Sequence, residues 1–73
     1  MTQSDLIAIL AEHYSSEPSR GKALEIHLFG IEFADELLGQ EVNLIAESAT
    51  GKASYGTEIR KGMKLAKYVT LKA

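Results

Sequence analysis

Apolar residues recur along most of this chain at the three- and four-residue spacing of amphipathic helices. Leu6, Ile7, Ile9, Leu10 and Ala11 form a first stripe that ends near Tyr14. Ahead of it, Thr2-Gln3-Ser4-Asp5 has the form of a capping box: a hydroxyl at the helix start and a carboxylate three residues on, each able to satisfy a free N–H. A first helix is predicted over residues 3–15, followed by a loop through Ser15-Ser16-Glu17-Pro18-Ser19-Arg20-Gly21.

From Lys22 to Leu38 the charged residues Lys22, Glu25, Glu32, Asp35 and Glu36 collect on one side when plotted at about 100° per residue. Ala23, Leu24, Ile26, Ile31, Phe33, Ala34, Leu37 and Leu38 cover the opposite arc, which predicts one long central helix. Leu28, Phe29 and Gly30 do not fit, because the first two point towards the charged side and a glycine weakens a helix interior. Leu24, Ile26 and Leu28 also alternate with Glu25, His27 and Phe29 as a short strand would. The charge clustering favours the helix.

Gly39 is placed to end that element, and residues 41–49 predict a short third helix with Val42, Ile45, Ala46 and Ala49 inward. Thr50-Gly51 makes a turn. A fourth helix follows over residues 54–66, with Tyr55, Ile59, Met63 and Ala66 at helical spacing and basic residues between them. Tyr68-Val69-Thr70-Leu71 is rich in strand formers and predicts a short extended end. The fold class is therefore all-α: a small domain of about four helices, with room for one short C-terminal strand.

Composition narrows the picture. Seventy-three residues with 45% hydrophobic content make one domain, because smaller pieces could not bury enough apolar surface. Without cysteine there is no disulfide and no thiolate metal site. The N-terminus has no basic residue and no apolar run approaches the roughly 18 residues of a membrane span, so the expected location is the cytoplasm.

The net charge of −2 conceals a division. Residues 1–51 hold nine acids against Arg20 and Lys22, whereas residues 52–73 hold Lys52, Arg60, Lys61, Lys64, Lys67 and Lys72 against Glu58 alone. The positive potential is concentrated in and after the fourth helix, which suits a polyanion or an acidic protein surface. A plain solvated helix face would have the same composition.

The segment from Leu44 to Gly62 carries the remaining information. Leu44-Ile45-Ala46-Glu47-Ser48-Ala49 supplies a first helix with a small residue at its centre. Ser54-Tyr55-Gly56-Thr57-Glu58-Ile59-Arg60-Lys61-Gly62 supplies a second. This segment resembles the helix-turn-helix of the Cro and phage-repressor type. The resemblance implies a buried Ala46 with Ile45 and Ala49 as its apolar neighbours, and Ile59 as the inward residue of a recognition helix. It implies that Lys52, Ser54, Tyr55, Thr57, Arg60 and Lys61 face double-stranded DNA. Lys64, further along the same basic helix, is expected to hold the phosphate backbone together with Lys52.

Two positions depart from the pattern. The usual turn glycine falls on Thr50, one place before Gly51, and Gly56 occupies a normally apolar inward position. Tyr55 is contested, because its periodicity turns it inward with Ile59 and the resemblance turns it towards DNA.

Other chemistry finds little support. His27 has only Ala23 and Ile31 four residues away, and His13 has Glu17 at that distance but Pro18 directly after it, so no metal site is expected. His27 is expected to be a core histidine or a helix–helix hydrogen-bond donor. Glu32, Asp35 and Glu36 share one face, which argues for solvation and not for acid–base catalysis. No phosphate loop or Ser/His/Asp set can be assembled, and neither an enzymatic activity nor a cofactor is expected. The reading is a DNA-binding module that works as a homodimer or beside a protein partner. The alternative is a non-enzymatic adaptor that presents the same basic helix to an acidic partner.

Overall fold

The computed structural model describes residues 1–16 and 21–69. Among them are five helices and no strand: α1 (Gln3–Ser16), α2 (Lys22–Glu32), α3 (Ala34–Leu37), α4 (Val42–Thr50) and α5 (Tyr55–Leu65). The capping box forms in both directions. The Thr2 N–H donates to Asp5 Oδ2 at 3.0 Å, and the Asp5 N–H donates to Thr2 Oγ1 at 3.1 Å. Hydrogen bonding to Thr2, first from its backbone N–H and then from its side chain, holds the Asp5 carboxyl below the usual carboxylate range.

A carboxylate whose folded pKa is depressed adds stability above its unfolded pKa and loses it as pH falls through the folded value. Asp5→Asn is therefore expected to lower the melting midpoint at neutral pH, with a gap to the wild type that narrows in acid. Melts at neutral pH and at about pH 2.5 check this, and a gap of equal size at both would rule out the carboxylate as its source.

The fully buried core takes residues from every helix: Leu6 and Leu10 from α1, Ile26 and Phe29 from α2, Leu37 from α3, Ile45 and Ala46 from α4, and Ile59 from α5. The inward face over residues 22–38 differs from the expected one. Phe29 and Gly30, the two misfits of the periodic pattern, are buried, while Ala23, Leu24 and Leu38 are exposed. Glu25, expected in solvent, is also buried. The cause is α1, which packs against α2 and places His13 Nδ1 3.6 Å from Glu25 Oε1. A carboxylate so covered tolerates burial only because polar partners face it.

Residues 24–29 are helical, but the single helix expected over 22–38 is broken at Phe33, where ψ of 26° departs from helical geometry. Straight helices diverge away from their point of contact. The change of direction at Phe33 brings α3 back over α5, and the Phe33 ring stays against Phe29 at a centroid distance of 5.2 Å.

The most extensive helix–helix contact joins α2 to α5, and glycine is its cause. A Cβ on Gly30 would fall on the Ile59 carbonyl oxygen and lie 3.1 Å from Gly62 Cα. A Cβ on Gly62 would fall on the His27 carbonyl oxygen and lie 3.0 Å from Gly30 Cα. The two backbones touch directly, which only paired glycines allow. Gly30 thus serves the packing that its poor helix propensity seemed to oppose.

Gly39 and Gly51, at φ of 80° and 82°, adopt the left-handed conformation that ends a helix at little steric cost to glycine. The chain leaves α5 in a turn, with the Tyr68 and Val69 N–H groups both donating to the Leu65 carbonyl. These two residues do not begin the expected extended end. Thr70 and Leu71 lie outside the described residues, as does Glu17, the companion considered for His13.

Candidate nucleic-acid interface

Helices α4 and α5 are joined by four residues, Gly51 to Ser54. Thr50, where the resembled Cro-type pattern would have glycine, closes α4 with its side chain. Its hydroxyl donates to the Ala46 carbonyl at 2.7 Å and accepts the Lys52 N–H at 3.1 Å, while the Gly51 N–H reaches the Glu47 carbonyl at 2.8 Å. The left-handed step therefore sits one residue later than the pattern requires. The chain enters α5 through i to i+3 bonds from Tyr55, Gly56 and Thr57, and Ser54 makes no side-chain cap.

Within α5, Ile59 is fully buried, and Gly56 and Gly62 lie three residues to either side of it. At about 100° per residue they flank Ile59 by roughly 60° on opposite sides. Gly62 admits α2. Gly56 admits α4, since a Cβ there would fall on the Asn43 side chain and lie 3.1 Å from Asn43 Cα. Helix α5 is thus wedged between two neighbours, with its remaining face outward.

That face carries Thr57, Arg60, Lys61 and Lys64, all exposed, and the exposed Lys52 and Ser54 precede it in the turn. Tyr55 behaves differently. Its ring is half-buried and packs edge-on against Tyr14 with centroids 5.7 Å apart, while the Lys52 ammonium lies 5.8 Å from its centroid. A side-chain hydrogen bond with Tyr14, and then burial, push the Tyr55 phenol pKa up. The ring is turned towards α1, as its periodicity implied.

The single acid of α5 is occupied. Glu58 Oε1 lies 2.5 Å from His27 Nε2 on α2, and Glu58 Oε2 lies 3.6 Å from Lys61 Nζ. His27 is therefore a helix–helix partner, one of the two roles its place in the sequence suggested. Arg60 also has a partner: its Nη1 donates to Asn43 Oδ1 on α4 at 2.8 Å.

Asn43 escaped the sequence reading, and its one signal was the missing side chain at residue 56. Glu41 and Glu47 escaped as well. They line the same open hollow as Asn43 and Arg60, so acid from the N-terminal half borders the basic helix. Among the described residues, no cluster of three or more histidines or acids could hold a metal ion. No helix among them is long and apolar enough to cross a membrane.

Two helices joined by a tight turn, the second wedged across the first with one face free, define a helix-turn-helix. The chain belongs to the HTH-like domain family, which matches residues 2–72. The family match is to a helix-turn-helix type and takes in the N-terminal half as well; it does not single out the Cro and phage-repressor type, whose resemblance lies between Leu44 and Gly62. No curated protein and no solved structure matches the chain.

Proposed function

We propose that this domain binds double-stranded DNA through the outer face of α5, as a transcriptional regulator of the Cro and phage-repressor type, without catalytic activity or a cofactor. One observation carries the reading. Thr57, Arg60, Lys61 and Lys64 are exposed together on α5, while its only acid is held by His27 and Lys61. In the bound state Arg60 and Lys61 contact phosphate or guanine edges, Lys52 and Lys64 hold the backbone, and Ser54 and Thr57 donate to phosphates or bases. Tyr55 supports the turn through Tyr14. Such work belongs in the cytoplasm, beside the DNA.

A module of this size binds weakly alone, and specific recognition calls for a homodimer on a two-fold site or for a second protein. Titrating labelled duplex DNA at increasing salt tests the proposal. Affinity should fall with a log–log slope of roughly −3 to −5, as expected when a few phosphates are neutralised, and the stoichiometry of the complex reports the number of copies. Glu41 and Glu47 beside Arg60 favour a second reading, an adaptor whose basic helix meets a protein surface of mixed charge. Absence of any DNA complex at low salt would leave that reading as the better one.

A further inference from the structure

We infer that Asn43 is a positioning residue for Arg60, and that residue 56 is glycine so that Asn43 can reach it. The inference rests on α5 being the DNA-binding helix. Residues 56 and 60 stand one turn apart on the same face of α5. At Gly56 the space of a side chain is filled from outside by the Asn43 amide, which would collide with any Cβ there. The amide therefore lies one turn below Arg60 and accepts its Nη1–H at 2.8 Å.

A guanidinium has five N–H donors, so the bond to Asn43 leaves donors for a phosphate or a guanine edge. A long, rotamer-rich side chain that is already oriented loses less freedom on binding, which strengthens the complex without a new contact to the ligand. The identity of the acceptor matters too. Asn43 is neutral and leaves the positive charge of Arg60 intact, whereas Glu41 and Glu47, in the same hollow, would cancel part of it if they captured the guanidinium. The tether holds Arg60 in place without spending its charge.

A double-mutant cycle on the full chain tests this, with a short duplex of mixed sequence at low salt and fluorescence anisotropy as the readout. Asn43 is exposed, so Asn43→Ala is expected to fold, and a melt of each variant verifies it. Asn43→Ala should weaken binding by about two- to tenfold when Arg60 is present and have almost no effect in the Arg60→Ala background, as coupled residues do. An equal loss in both backgrounds would show that Asn43 acts on DNA or on the fold by itself, and an unchanged affinity with Arg60 present would show that the tether is idle. Either result overturns the inference while leaving DNA binding intact. Failure of the wild-type chain to bind at all would instead remove the functional reading on which it stands.

Discussion

Gly62→Ala should destabilise the domain even though alanine is the better helix former by about 1 kcal/mol. The new methyl would meet the His27 carbonyl oxygen, Gly30 Cα at 3.0 Å and Ile31 N at 3.1 Å, all of them main-chain atoms of α2. No rotamer change can relieve such a clash, so the helices must separate. Overpacking of this kind costs about 1–3 kcal/mol or more, and separation also loosens the burial of Ile59 and Phe29 on the two helices. Because the atoms met are all main chain, the cost falls in the upper part of that range, about 2–3 kcal/mol, and deducting the propensity gain of about 1 leaves a loss of about 1–2 kcal/mol, a fall of roughly 5–15 °C in Tm for a chain this short. Thermal melts decide it, and a Tm equal to or above that of the wild type would mean that α2 and α5 are not in backbone contact.

Ile59→Ala and Arg60→Ala, one residue apart, should fail in different ways. Ile59 is fully buried between the flanking glycines, and its truncation should cost about 2–4 kcal/mol. A domain of this length commonly has only a few kcal/mol to lose, so this variant should be largely unfolded at physiological temperature. Arg60 is exposed, and its bond to Asn43 lies at the surface, so Arg60→Ala should melt close to the wild type. Its loss should appear in binding: about 1–3 kcal/mol if the guanidinium reads a base, or a salt slope shallower by about one if it holds a phosphate. Melts and DNA titrations of both variants separate the outcomes. If Arg60→Ala melted early while binding normally, the outward face of α5 would be wrongly assigned.

Local interactions were legible in the sequence and distant ones were not. The Thr2–Asp5 box, the glycine endings at Gly39 and Gly51 and the inward Ile59 all follow from residues within a turn or two of one another. The buried face of α2 depends on what covers it. Glu25 reads as solvated until α1 lies over it with His13, and Phe29 reads as misplaced until the core is seen on its side.

The glycines misled most. Gly30 and Gly62 each look like a weakness in a helix, and their mutual fit spans 32 positions that no periodicity links. At the candidate site, the exposed basic positions could be read from charge and resemblance together. The His27–Glu58 pair and the Asn43–Arg60 bond could not, because each joins two helices whose relative placement the pattern leaves open. Tyr55 was ambiguous for a related reason: its partner, Tyr14, lies in the half of the chain that the resemblance did not cover.

The glycine crossing also bears on how the molecule moves. Side chains packed between helices can exchange rotamers and let one helix roll or slide over the other in small steps. Main chain pressed on main chain has no such layer, so α2 and α5 shift together or come apart. The crossing therefore ties α5, and with it its outward face, to α2 at the Gly30–Gly62 contact. Adjustment to an irregular surface is then left to the turn from Gly51 to Ser54, to the flexible ends of the lysines, and to the partner itself.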